Sequence, residues 1–203
     1  MNICYRKFMK PLLDRVAALL FLCILSPLLF LIAVAVKISS PGPFLYIAER
    51  TGYRGKPFRI WKFRTMVQDA EKKGGGTTSL NDPRIFPLGK ILRRWKLDEL
   101  PQLINVLKGE MSFVGPRPEL PIYSEQYSEE ELAIFNVLPG ITDYSSVEFR
   151  SLDKVVGEGD ADAVYMEKVF KRKNALRLRY ARELSISTDA KILLATVRVL
   201  FKN

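Results

Sequence analysis

The sequence has no histidine and only two cysteines in 203 residues. Without histidine the usual neutral-pH base and the imidazole metal ligands are both missing, so acid–base or metal chemistry has to rest on carboxylates. Cys4 and Cys23 make no disulfide framework, and no cysteine follows Lys37, which suits a reducing compartment. A P-loop is also missing: Gly74-Gly75-Gly76 runs into Thr77-Thr78 rather than Gly-Lys-Ser/Thr. Acidic residues are scarce at one end only. Residues 1–64 hold 11 Lys/Arg against 2 Asp/Glu, residues 65–116 hold 8 against 6, and residues 117–203 hold 13 against 14. Nearly all of the +10 net charge therefore lies in the first third, which points to an anionic membrane surface rather than to a nucleic acid.

What is present in that first third is a run of 21 uncharged residues, Val16–Val36. Its length suits a membrane-spanning helix. Basic residues before it and Ala33-Val34-Ala35 near its end also fit a signal peptide. A third reading is a helix that enters the bilayer, bends and leaves by the same face. Ser26-Pro27 sits mid-run, where Pro27 has no N–H for the Cys23 carbonyl. Each half is then about 15 Å long at about 1.5 Å per residue, half a bilayer core. Residues 1–15 carry four basic groups against one acidic, and residues 37–64 carry seven against one. Basic charge on both flanks disfavours sending either across, so the re-entrant reading is preferred.

Pro41-Gly42-Pro43 ends this element. Phe44–Ala48 and Phe58–Phe63, aromatic and β-branched, read as a hairpin around a glycine-containing loop. The polar stretch from Gly74 to Pro83 reads as a mobile flap. Ile85, Leu88, Ile91, Leu92 and Trp95 recur at helical spacing, and a second helix is expected to start near Asp98 and stop at Gly109. Glu129–Val137 reads as a short helix, Val164–Leu184 as a long basic one, and Ile186–Phe201 as an amphipathic one suited equally to a core or to a membrane interface. The expected fold is α+β and mainly helical. It comprises a re-entrant helix-break-helix over residues 1–40, then a single domain over 41–203 with a small β-hairpin and amphipathic interfacial helices.

The chemistry concentrates in Arg93-Arg94-Trp95-Lys96-Leu97-Asp98-Glu99-Leu100-Pro101-Gln102. Asp98 is a good helix N-cap and Glu99 suits a first turn, which is explanation enough for a capped helix. The same position also favours phosphate, and an ionised carboxylate there is available as a nucleophile or Mg²⁺ ligand. Arg117, between Pro116 and Pro118, presents its guanidinium from a restricted backbone.

The order of motifs resembles the small monotopic phosphoglycosyl transferases of the bacterial sugar transferase family. The matching pieces are Ser26-Pro27, Tyr46 with Arg50-x-Gly52, Lys62-Phe63-Arg64-Thr65-Met66, Leu97-Asp98-Glu99-Leu100-Pro101-Gln102, Asn105 to Ser112, Gly115-Pro116-Arg117-Pro118 and Pro139-Gly140-Ile141-Thr142. Tyr180 and Asp189-Ala190-Lys191-Ile192 fit the closing helices. The resemblance is to the minimal form of the family. It implies transfer of a phosphosugar from a UDP-sugar to polyprenol phosphate at the cytoplasmic face of the bacterial inner membrane, with release of UMP and a covalent enzyme intermediate. Asp98 would attack the β-phosphate and bind Mg²⁺, and Glu99 would assist the acceptor or orient the metal. Arg93 and Arg117 would hold phosphates, with Lys62 or Arg64 in support. Two departures bear on the sugar: Asp143-Tyr144-Ser145-Ser146 replaces a commoner Gly-Leu-Ala-Gln, and Arg177 stands where an acidic residue is common. The rival reading is a non-catalytic peripheral protein that binds anionic lipid through residues 1–64.

Overall fold

A computed structural model describes residues 4–70, 75–79, 81–157 and 160–201. The chain is mainly helical with two small sheets. A π-helical turn, Tyr5–Met9, leads into α1, Lys10–Ser39. β1 (Leu45–Thr51) and β2 (Pro57–Phe63) pair antiparallel, with Leu45 opposite Phe63 and Thr51 opposite Pro57. Next come α2 (Pro87–Arg94), a 3₁₀ turn at Leu97–Glu99, and α3 (Gln102–Lys108). β3 (Ser112–Val114) runs parallel to β4 (Gly140–Thr142), across α4 (Pro121–Ser124) and a 3₁₀ segment, Glu131–Asn136. The remainder is helical: α5 (Tyr144–Glu148), α6 (Leu152–Val156), α7 (Ala161–Val164) continuing through a π-turn into α8 (Phe170–Glu183), and α9 (Ile186–Phe201).

In place of two half-helices, α1 stays helical through Pro27. The hydroxyl of Ser26 donates to the Cys23 carbonyl at 2.9 Å, supplying the hydrogen bond that Pro27 cannot make. Inward-facing residues recur at alternating steps of four and three. Ala18, Leu22 and Leu25 pack with Ile60, Leu103, Val106 and Met111, and Leu29, Ile32 and Val36 with Phe63, Phe86 and Leu92. At the other end Lys10 reaches α9, donating to Asp189 at 2.6 Å, where the hydroxyls of Tyr5 and Tyr180 also donate. One face of α1 is therefore fastened to the domain along its length. The opposite face is bare hydrocarbon, with Ile24 70% and Phe30 68% exposed. By length and composition the helix Tyr5–Ser39 could cross a membrane. On α9, Thr188, Asp189 and Ile192 face inward while Leu194, Val197 and Phe201 are exposed.

The expected stop at Gly109 is present: its φ of 78° is the left-handed conformation that ends α3. The parallel pair depends on two glycines in backbone contact, since a Cβ on Gly140 would lie 2.1 Å from the Gly115 nitrogen. Asn105 fixes α3 against β2: its Oδ1 accepts from the Trp61 N–H at 3.1 Å, and its Nδ2 donates to the Arg59 carbonyl and to Glu110, both at 2.7 Å. This fully buried amide satisfies the free edge of β2 and sets the distance between that strand and the Asp98 turn. Asn105→Ala is expected to cost about 2 kcal/mol by stranding these groups, read as a lowered denaturation midpoint.

Of the polar stretch expected as a flap, Gly74 and Leu80 lie outside the described residues. The N–H groups of Gly76 and Thr77 donate to Asp162 at 3.1 and 2.7 Å, so this part of the loop is tied to α7.

Candidate active site

The sequence placed Asp98 at a helix N-cap. In the structure it lies one turn earlier, within the 3₁₀ turn, and its side chain makes no capping bond. Lys96 in the left-handed conformation (φ 57°) starts the turn and Pro101 leads into α3. This backbone points two adjacent carboxylates in different directions, and their surroundings differ sharply.

Glu99 is saturated. Its Oε1 accepts from Arg117 Nη2 at 2.7 Å and from Lys62 Nζ at 3.1 Å. Burial alone would raise its pKa, but Arg117 and Lys62 outweigh burial and hold it well below the usual carboxylate range. Lys62, carried by β2 opposite Tyr46, is itself pushed down by burial, against the pull of Glu99.

Asp98 is starved. Only 6% of it is exposed, and its buried Oδ1 has no hydrogen-bond donor among the described residues. Burial raises its pKa, the adjacent Glu99 charge adds to the rise, and Lys62, Lys96 and Arg93 oppose it. The shift runs opposite to that of a helix cap, whose N–H contacts would lower the pKa, because the turn supplies cationic field but burial prevails.

Arg93, on α2, donates from Nε to Thr65 Oγ1 at 2.8 Å and from Nη1 to Thr78 Oγ1 at 3.0 Å. It faces Asp98 electrostatically rather than by a hydrogen bond. Arg117 extends from the segment after β3. Besides Glu99 it contacts Gln102 Oε1 at 3.2 Å and the Ile141 carbonyl at 2.7 Å. Lys62, Asp98, Glu99, Arg93 and Arg117 thus form one constellation. Arg64 stands apart from it, because its guanidinium is spent on Ser40 Oγ (3.2 Å), the Ser40 carbonyl (2.7 Å) and the Pro41 carbonyl (2.5 Å) at the end of α1. There it binds the carbonyl-rich C-terminus of that helix.

Three contributors carry no role in the sequence reading: Thr65, Thr78 and Gln102, though Thr65 and Gln102 fall inside quoted motifs. Gln102 is fully buried and its Nε2 has no partner among the described residues. The two departing segments also meet. Asp143 N-caps α5 through the Ser146 N–H, and the Arg177 Nε lies 4.0 Å from its Oδ2. Arg150 donates to the Val199 carbonyl and, at 3.2 Å, to the Leu200 carbonyl, closing the C-terminal turn of α9.

Among the described residues no group of three or more Asp, Glu, His or Cys is placed to enclose a metal ion. Mg²⁺ does not need one: it is commonly held by one or two carboxylates, with water and substrate phosphate completing the octahedron. The donor-free oxygen of Asp98 fits that use.

Comparison with known proteins identifies the family. The profile of the family described as bacterial sugar transferase matches residues 5–203. The chain is 42% identical over 194 residues to the UDP-glucose:undecaprenyl-phosphate glucose-1-phosphate transferase of Escherichia coli (strain K12), covering 94% of this chain and 40% of that protein. It is 38% identical over 191 residues to the protein of the same name from Caulobacter vibrioides, covering 93% of this chain and 68% of the relative. Identity is 33% over 197 residues to the UDP-N-acetylgalactosamine-undecaprenyl-phosphate N-acetylgalactosaminephosphotransferase of Aeromonas hydrophila, covering 95% and 44%. The chain therefore spans less than half the length of two of these three relatives. It belongs to the bacterial sugar transferase family.

Proposed function

We propose that the protein transfers a sugar 1-phosphate from a UDP-sugar to polyprenol phosphate, in two displacements that pass through Asp98. The observation that carries this reading is the contrast within the acidic pair. Glu99 is committed to two cations, whereas Asp98 keeps a buried oxygen free inside a cationic field. The relatives named for undecaprenyl-phosphate sugar-phosphate transfer supply the substrate classes.

In the first step an Asp98 carboxylate oxygen bonds to the β-phosphorus of the UDP-sugar. The bond from that phosphorus to the α–β bridging oxygen breaks, and UMP leaves with the electron pair. In the second, a phosphate oxygen of the polyprenol phosphate bonds to the same phosphorus and the Asp98 carboxylate is released. No net proton transfer is needed, which suits a site without histidine. Arg117 and Arg93 bind and orient the phosphates, Lys62 offsets charge between them, and Glu99 keeps Lys62 and Arg117 in place. Mg²⁺, held by Asp98, would neutralise diphosphate charge. The burial that raises the Asp98 pKa also keeps water from competing with the lipid acceptor.

The membrane placement is part of the same proposal. One side of α1 is bound to the domain at both ends, and the other is bare hydrocarbon. A helix so fastened keeps both of its ends on the domain's side, as a re-entrant element does, and holds the site near the headgroups where a lipid phosphate resides. The reading puts that site at the cytoplasmic face of the bacterial inner membrane, as the first membrane step of glycan assembly.

Two measurements test it. Purified protein with Mg²⁺ and a panel of UDP-sugars is expected to release UMP catalytically only when polyprenol phosphate is present. A protein that binds lipid vesicles but turns over no donor in the panel would favour the non-catalytic rival. For topology, an impermeant thiol reagent applied to inside-out vesicles should label both native Cys4 in a Cys23→Ser protein and a Lys37→Cys protein lacking Cys4 and Cys23. Labelling from opposite sides contradicts the re-entrant placement.

A further inference from the structure

Arg117 is held at Glu99 and Gln102 by its side chain, but its backbone is held from a different direction. Its N–H donates to Asp143 Oδ2 at 3.1 Å. Two residues on, Glu119 Oε2 accepts from Arg177 Nη1 at 2.6 Å and from the Tyr165 hydroxyl at 2.5 Å. Arg177 Nε lies 4.0 Å from that same Asp143 oxygen. The strap Arg117-Pro118-Glu119 is therefore tied at both ends to one guanidinium, directly through Glu119 and indirectly through Asp143. Proline at 116 and 118 limits the backbone, so fixing the ends fixes the residue that carries the fork. Asp143 is itself immobilised, since its Oδ1 accepts from the Ser146 N–H at 2.6 Å and from the Ser145 and Ser146 hydroxyls.

Arg177 is fully buried; its Nη1 donates to Glu119, Tyr127 and Asn174, while Nε, Nη2 and the neighbouring Asn174 Nδ2 have no hydrogen-bond partner among the described residues. Unmade buried hydrogen bonds work against stability, so this arrangement favours placing charge between two carboxylates over maximal bonding.

We propose that Arg177, with Asp143 and Glu119, is a positioning unit for Arg117 that sets affinity for the donor's diphosphate without touching it. The proposal rests on Arg117 as a phosphate-binding residue.

UDP, the moiety shared by the donors, is the probe, with Mg²⁺ present and binding followed by titration. Arg177→Met is expected to weaken UDP binding about tenfold, the size of coupling within one hydrogen-bonded network, and Arg177→Lys to restore part of the loss. Asp143→Asn, which keeps one acceptor oxygen and removes the charge, should weaken binding in the same direction and serves if the Arg177 variants do not fold. In an Arg117→Lys background neither change should weaken binding further. Equal losses in both backgrounds, or unfolding of every variant, would overturn the positioning role and leave the transferase reading intact. An Arg117→Lys protein that binds UDP normally would overturn the phosphate role of Arg117 itself.

Discussion

Asp98→Asn is expected to abolish UMP release while leaving the fold at least as stable as the parent. The loss follows from the proposed chemistry: an amide oxygen is a poor nucleophile toward phosphorus and a poor leaving group afterwards, so kcat should fall at least about 10³-fold. The stability prediction follows from burial. A folded pKa raised above the unfolded value means that the charged form is disfavoured in the native state. That contribution favours folding below the unfolded pKa and is lost as pH rises through the folded one, so at neutral pH ionised Asp98 weighs against the fold. A neutral isostere removes this penalty. Thermal denaturation at pH 7.5 should give an unchanged or higher midpoint alongside lost turnover, with vesicle binding unaltered. A lowered midpoint would show Asp98 to be structural instead.

Glu99→Gln should behave in the opposite way. The change leaves Lys62 and Arg117, each less than a quarter exposed, facing a neutral amide. Removing one member of a largely buried ion cluster costs about 3 kcal/mol, less whatever solvent screening remains at its edge. The pH dependence reverses as well. The folded pKa of Glu99 is depressed, so its contribution is present above the unfolded value and disappears as pH falls through the folded one. The gap in midpoint between parent and Glu99→Gln should therefore be wide at pH 7 and narrow progressively below about pH 4.5. Turnover should also fall, through displaced Arg117 and Lys62. A gap independent of pH would contradict the assignment of an ionised, cation-bound Glu99.

The contrast between two adjacent carboxylates was not legible in the sequence, although their importance was. Asp98 looked like a cap because the residues after it favour a helix. The left-handed Lys96 and the ring of Pro101 instead make a separate turn, and burial raises the Asp98 pKa where a cap would lower it. Arg64 was misleading for a related reason: Lys62 and Arg64 share a strand face only while the pleat continues, and β2 ends at Phe63. The hairpin and α9 were legible from aromatic and β-branched runs and from a sharp amphipathic period, and α9 covers the residues expected of it. The β3–β4 pair was not, since three-residue strands carry no period and their pairing depends on Gly115 meeting Gly140 across the intervening chain. Continuity of α1 through Pro27 was hidden in the serine before it, whose hydroxyl replaces the missing N–H.

The central claim is that Asp98 becomes covalently attached to the donor phosphosugar. Intact-protein mass measured after mixing with Mg²⁺ and a competent UDP-sugar, without lipid acceptor, tests it most directly. The account predicts a gain equal to one sugar phosphate, mapped to the peptide containing Asp98, absent from Asp98→Asn, and discharged when polyprenol phosphate is added. Catalytic transfer with no such adduct at any time, or an adduct on another residue, would contradict it.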